Sequence, residues 1–297
     1  MSKNGEYRIS VIVPNFNNAE YLEECISSIL DQSYENFEII ITDDCSTDNS
    51  RQIIEKFADA NTDIKPLFHD ENIGVSANRH EAILTAEGDF ITTIDSDDVY
   101  YDKKKLETEL KLILWYEEKG KEIISYSKTA LLNSKGQFLR MRADENFVKS
   151  GRLLRCMLTR NCDIPVNFLF RKEQYIESDG YDQGLELYED WDLKLRLAAK
   201  YEFYCTGITG TGVRLHREGL SSANPEKHIN LLNKVFEKNI DLVPPEDQNK
   251  IRNNFLKNLN EIHREIERIS SESPMKKSLR KIIEDNPKIF KFINSLK

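Results

Sequence analysis

The 297-residue chain carries 39% hydrophobic and 31% charged residues and a formal net charge of −9, a soluble globular composition with no stretch apolar enough to span a bilayer. The charge is uneven: from Glu246 onward twelve Lys/Arg face eight Asp/Glu, so the rest of the chain carries −13 and disfavours nonspecific nucleic-acid binding. Five cysteines, odd in number and without a C-x-x-C pair, argue against a disulfide framework and a zinc site, and the polar start Met1 to Tyr7 contains no secretory signal, so a cytoplasmic location is expected.

Tyr7 to Val13 reads as a strand closing at Pro14, and Leu22, Ile26, Ile29 and Leu30 then recur at helical spacing. Phe37 to Thr42 is a short apolar strand. Asp43 to Asp48 is a turn rich in N-capping residues before a helix over Asn49 to Ala60. A third strand near Ile64 to Phe68 leads through Asn72-Ile73-Gly74 into a helix near Ser76 to Ala86, which Gly88 is expected to end. The fourth strand, Asp89 to Ile94, runs into Asp95-Ser96-Asp97-Asp98. This alternation predicts an α/β fold with a mostly parallel sheet flanked by helices, and in such sheets ligands bind at the carboxyl ends of the strands. Asn15-Phe16-Asn17, Asp43-Asp44, Asp70-Glu71-Asn72 and Asp95 to Asp98 all follow predicted strands, so one crevice could gather them.

After a helix marked by Leu106, Leu110, Ile113 and Leu114, the pattern predicts a strand over Ile123 to Leu132, a turn at Asn133 to Gly136, a strand over Val166 to Phe170 and a helix over Trp191 to Lys200. Beyond Asn224 the chain reads as a helical extension. Ile251, Phe255, Leu259, Ile262, Ile266 and Ile269 form one apolar stripe, a packing face that could also serve a homodimer. The last segment, Pro274 to Lys297, interleaves basic and apolar residues. It reads either as a helix packed on the body or as a peripheral contact with an anionic membrane surface.

Three carboxylates within four residues at a strand end repel one another unless a cation sits between them. Asp95, Asp97 and Asp98 therefore suggest a divalent cation on hard oxygen ligands, the D-x-D spacing suiting a nucleotide diphosphate beside it; a solvated acidic turn is the alternative.

In order along the chain, Val11 to Asn17, Ile39 to Asp48, Asn72 to Arg79, Gly88 to Asp98, Gly180-Tyr181-Asp182 with Glu189 to Leu193, and Arg214-Leu215-His216 resemble the family 2 glycosyltransferases, an inverting group with the GT-A fold. The resemblance covers roughly residues 7 to 222. It implies a catalytic domain to residue 222, its nucleotide-binding half ending near 102 and its acceptor half following, with a helical extension over 223–297. It also implies sugar transfer from a nucleotide-diphosphate donor, UDP-linked by expectation, to a glycan or lipid-linked saccharide at the inner face of the cell membrane.

By that resemblance Pro14, Phe16, Asn17, Asp44, Arg79, Asp95 and Ser96 contact the nucleotide. Phe16 would stack on the base and Asp44 would accept the uracil N3 proton, while Arg79 would lie in the exposed first turn of its helix. Asp97 and His216 would hold Mn²⁺ or Mg²⁺, the imidazole favouring Mn²⁺, with Asp98 as the alternative ligand. Arg214 and Arg217 flank His216 in what would be a phosphate-covering flap. Asp190 would be the general base, with Glu189 positioning it or touching the acceptor and Trp191 lining the acceptor pocket or packing. The enzymatic rival, a sugar-phosphate nucleotidyltransferase, needs a Gly-rich loop after the first strand, where Pro14-Asn15-Phe16-Asn17-Asn18 stands instead. A non-catalytic nucleotide-sugar-binding protein on the same fold is the other rival.

Overall fold

The computed structural model describes residues 7–143, 147–162, 164–215 and 225–271, with side chains described for all of these except 225, 226 and 260–271. Strands β1 (Ile9–Asn15) and β2 (Phe37–Asp43) are buried at every position, as apolar runs covered on both faces should be. With β3 (Ile64–Phe68), β4 (Phe90–Thr93) and β8 (Phe170–Arg171) they form a sheet in the order β3-β2-β1-β4-β8. The first four strands are parallel and β8 is antiparallel to β4. Crossovers run through α1 (Ala19–Leu30), α2 (Ser50–Ala60) and α3 (Val75–Thr85).

The period-2 alternation of β1 divides the core. Val11 and Val13 pack with Leu22, Ile26 and Ile29 of α1 and with Leu106 and Leu110 of α4 (Lys105–Glu117). Ile12 points to the other face, where Ala82 and Ile83 of α3 lie with Leu195 and Leu197 of α7 (Glu189–Lys200). Each fully buried Leu or Ile on these faces contributes about 1.5–3 kcal/mol relative to exposure.

A second sheet has the order β5-β9-β6-β7, from β5 (Val99–Tyr100), β9 (Glu202–Arg214), β6 (Ile123–Leu132) and β7 (Phe138–Met141). Strand β6 and the turn after it fall where the sequence put them. Gly136 donates its N–H to the Asn133 carbonyl at 3.0 Å and takes φ +75°, which glycine adopts without strain. The 13-residue β9 was not expected, because Gly207, Gly210 and Gly212 depress strand propensity. Tyr126 faces Cys205 while Lys128 faces Thr209, so β9 bulges against β6, and Gly207 takes φ +86° within the bulge. A Cβ at Gly210 would lie 2.5 Å from Ser127 Cβ.

The segment Val166 to Phe170 is not one strand. Leu169 bridges Ser125 of β6 while Phe170 pairs with Ile91 of β4, so its ladder is divided between two sheets. Gly88 is not a helix terminator either: α3 has ended at Thr85, and Gly88 lets the backbone approach β1, since a Cβ there would sit 2.5 Å from Ser10 Oγ.

The chain continues through α5 (Leu154–Leu158), α6 (Lys172–Glu177), α8 (Pro225–Asn239) and α9 (Pro245–Ser271). Ile251, Phe255 and Leu259 of α9 are buried within the chain, Phe255 stacking on Phe236 at 4.0 Å between centroids. This part of the stripe is therefore consumed by intrachain packing and offers no dimer face. The side chains of Ile262, Ile266 and Ile269, and the whole of 274–297, lie outside the described residues. Among the described residues, no helix is long and apolar enough to cross a membrane.

Candidate active site

The carboxyl ends of β1, β2 and β4 meet at one edge. Pro14 is buried inside β1, where pairing with β4 has stopped at Ile12 and only the β2 side continues, so its missing N–H leaves that open side unaffected. Phe16, just beyond, is 46% exposed, so its ring is not core packing. Asn17 takes φ +53° and pins its loop to the next one, accepting the Thr47 N–H at 2.7 Å while its own N–H reaches Ser46 Oγ at 2.9 Å. Asp43 accepts from Asn15 Nδ2 at 2.7 Å and from the Ser46 hydroxyl at 2.6 Å. Asp44 is buried, each carboxylate oxygen taking one backbone N–H, Ile73 at 2.7 Å and Gly74 at 2.9 Å. Both aspartates thus bind neighbouring loops together. Asp48 caps two helices at once, accepting the Ser50 and Ala19 N–H groups at 2.9 Å each, and burial, which would raise its pKa, is outweighed by these bonds.

Asp95, Asp97 and Asp98 each offer a carboxylate oxygen, all within 4.8 Å of one another. Hard oxygen donors at this spacing fit Mg²⁺ and Mn²⁺ alike. Asp98 is buried and one of its oxygens accepts the Arg214 backbone N–H at 2.9 Å, a commitment that spacing could not reveal. Ser96 is buried with its hydroxyl accepting from Asn18 Nδ2 at 2.9 Å. Arg214 does not belong to a flap. It ends β9 at 1% exposure, its Nε donating to the Asp97 carbonyl at 3.0 Å and its Nη2 to Glu24 at 2.8 Å. His216 and Arg217 lie outside the described residues, so the metal preference that rested on an imidazole has no structural counterpart here.

Arg79 is not on an exposed turn. It is buried in α3, where one guanidinium nitrogen bonds Asp95 and another bonds Glu189 at the start of α7. Burial would lower its pKa, yet the two carboxylates raise it. Its Nε has no hydrogen-bond acceptor among the described residues. Burial pushes Glu189 up to about 7, with Arg79 opposing and the Asp190 charge reinforcing the rise.

Asp190 behaves oppositely. Burial would raise it, but the Lys194 ammonium, 2.6 Å away on the same helix, holds it below the usual carboxylate range. Lys194 Nζ also donates to the Ile164 carbonyl at 3.0 Å. Asp190, Lys194 and Trp191 share a cleft with Arg142 and Arg160. Trp191 both lines it and packs: its Nε1 donates to the Met157 carbonyl at 3.2 Å and its ring stacks on Phe255.

The structure therefore brings the predicted carboxylates 95, 97 and 98 together and joins them to Glu189 through one arginine. Sequence reasoning missed Lys194, whose signal was its position four residues after Asp190 on one helix face, and Asn18, Arg142 and Arg160, which carry no local signal.

Residues 10–177 match the family described as glycosyl transferase family 2. TuaG of Bacillus subtilis (strain 168), a glycosyltransferase assigned by name to teichuronic acid biosynthesis, is 38% identical over 106 residues, 36% of this chain and 42% of TuaG, so the match spans under half of that protein's length. WfgD of Escherichia coli, named a UDP-Glc:alpha-D-GlcNAc-diphosphoundecaprenol beta-1,3-glucosyltransferase, is 30% identical over 178 residues, 57% of this chain and 68% of WfgD. The crystal structure of S. aureus TarS 1-349 in complex with UDP-GlcNAc superposes with a TM-score of 0.66 over 84% of this chain and 71% of that one at 20% identity, a likeness of fold. With its mixed α/β architecture the fold is GT-A, and the chain belongs to glycosyl transferase family 2.

Proposed function

We propose that this chain is an inverting, metal-dependent glycosyltransferase that moves a sugar from a UDP-linked donor onto a hydroxyl of a glycan or lipid-linked saccharide in cell-surface polysaccharide synthesis. The observation that carries the reading is Arg79, which one side bonds to the acidic cluster and the other to the residue beside Asp190. A donor diphosphate held near Asp95 would thus be fixed relative to a base on α7, with α4, α5 and α6 between them in sequence. The cellular setting is taken from the names of TuaG and WfgD, and the UDP-sugar from WfgD and the TarS complex. In this reading the chain would meet a lipid-linked acceptor at the inner face of the cell membrane.

In this reading Phe16 stacks on the base and Asp190 takes the proton of the acceptor hydroxyl as its oxygen attacks C1 from the face opposite the diphosphate. Lys194 keeps that carboxylate ionised at neutral pH. Asp95 and Asp97, with Asp98 as alternative, would hold Mn²⁺ or Mg²⁺, a cation that would supply positive charge beside the diphosphate leaving group. The test is calorimetric titration of UDP with Mn²⁺ and with EDTA, followed by donor turnover. Asp97→Ala should lose Mn²⁺-dependent UDP binding, whereas Asp190→Asn should bind UDP normally and lose turnover. Full turnover in Asp190→Asn refutes the assignment of the base.

A further inference from the structure

We infer that Tyr188 and His228 are positioning residues: the hydrogen bond they share across α7 and α8 fixes the first turn of α7 and with it the direction of the Asp190 carboxylate. This rests on the reading of Asp190 as the base. Both residues lie beyond the segment 10–177 that matches the family, so the match assigns them no role.

Tyr188 stands at the N-cap of α7, directly before Glu189 and Asp190, with φ +66° and ψ 17°, a left-handed conformation that strains a bulky residue. Asn and Asp tolerate that region best and also cap a helix with a side-chain oxygen, whereas Tyr188 makes no side-chain cap hydrogen bond. Its side chain is used elsewhere. The phenol is buried and shares a 3.1 Å hydrogen bond with His228 Nδ1 in the first turn of α8, and its ring meets the imidazole and the Trp191 indole edge to face.

Such a backbone persists only where its surroundings hold it. Glu189 is tied to Arg79 and Tyr188 to α8, so Asp190 follows two consecutive anchored residues. The far end of α8 grips the same turn: Asn239 Nδ2 donates to Asp192 Oδ1 at 2.8 Å, and the Lys238 ammonium lies 2.9 Å from that oxygen. Relaxation of Tyr188 toward the right-handed region would redirect the chain entering α7 and swing Asp190 with it.

The pair is not explained by stability. His228 is buried, burial holds its pKa below the usual histidine range, and its Nε2 has no hydrogen-bond partner among the described residues. An unpaired buried nitrogen subtracts from stability, and an apolar pair of similar shape would fill the seam without one. What the polar pair adds is direction, since a hydrogen bond fixes one geometry where apolar contact allows several.

The experiment uses the full chain with Mn²⁺ and reads UDP release from UDP-glucose and UDP-N-acetylglucosamine, with UDP calorimetry and thermal unfolding on the same proteins. Tyr188→Phe combined with His228→Leu removes the hydrogen bond and leaves neither side chain with an unpaired polar atom, so its thermal midpoint should stay near that of the native chain. Its kcat should fall at least about tenfold, because small misplacements of a reacting group carry losses of that order or more, while the donor KM and UDP affinity stay unchanged. His228→Asn, whose side-chain amide stands where Nδ1 does, should keep part of the native kcat. A paired variant with native kcat overturns the inference, and so does a kcat loss matched by losses of thermal stability and UDP affinity, which would be damage to packing. Asp190→Asn separates the two readings: undiminished UDP release there sinks the assignment of the base, whereas release lost in Asp190→Asn and retained in the paired variant sinks only this inference.

Discussion

Replacing Arg79 by Met keeps most of the side-chain volume and removes the charge that spans Asp95 and Glu189. Deleting one partner of a buried ion pair ordinarily costs about 3–5 kcal/mol, because the other charge is stranded. Here the cost is smaller at low pH. Asp95 is 23% exposed and regains water, while Glu189, already pushed up to about 7 by burial, takes a proton. What remains is the loss of charge-assisted hydrogen bonds, about 1.5–3 kcal/mol.

The pH dependence follows from the sign of the Glu189 shift. A group whose folded pKa is raised favours the folded state when protonated, and that contribution is lost as pH rises from the ordinary carboxylate range through about 7. In the native chain the loss is complete above that value. Without Arg79 the folded pKa moves higher, so the variant goes on losing about 1.4 kcal/mol per pH unit where the native chain has stopped. Denaturant unfolding at mildly acidic and mildly alkaline pH should therefore show the two proteins diverging on the alkaline side. Parallel stability curves across that range would refute the reasoning, since they would mean that Glu189 is not held by Arg79.

The other predictions concern catalysis and packing. Lys194→Met should move the acid limb of the kcat/KM profile to higher pH, because Asp190 loses the charge that holds it down; an unmoved limb removes Lys194 from this role. A limb near pH 7 that vanishes in Glu189→Gln but survives in Asp190→Asn would transfer the base to Glu189. Mn²⁺ titration of Asp97→Asn and Asp98→Asn should weaken affinity in both, Asp97→Asn more, as one Asp98 oxygen is committed to the Arg214 N–H. Gly210→Ala places a Cβ 2.5 Å from Ser127 Cβ and should lower stability by about 1–3 kcal/mol in thermal unfolding.

The first sheet was legible because β1 and β2 are continuous apolar runs and the helices between strands keep one buried stripe, signals that a local window carries. The second sheet was half legible: β6 has that apolar character, whereas β9 is written in Thr and Gly because its neighbours press against it. Such close approach is a tertiary fact, invisible until β6 and α4 are in place. At the site, the acids were legible as clusters after strand ends, but their partners were not. Arg79 looked like a surface helix residue because nothing local announces that α7 will cover it, and Arg142 and Arg160 are ordinary charges until the fold brings them to Trp191.

The position of the acidic loop explains why a strand of two residues matters. Asp95 to Asp98 leave β4 in the first sheet and enter β5, whose Val99 and Tyr100 pair with Gly212 and Thr211 of β9 in the second. The loop is thus clamped at both ends by different sheets, and the Arg214 N–H at the end of β9 adds a third point on Asp98 itself. Three carboxylates brought within 4.8 Å resist that approach by mutual repulsion, and a loop held at one end only would relieve it by swinging outward. Two anchored ends oppose that movement, so the three carboxylates stay close, as the proposed cation site requires. The glycines that concealed β9 are therefore tied to the acidic loop: a Cβ at Gly212 would lie 2.6 Å from Leu132 Cδ1 and 3.1 Å from Val99 Cγ2, so the bare backbone lets β5 and β6 close on β9 where the loop needs its second end.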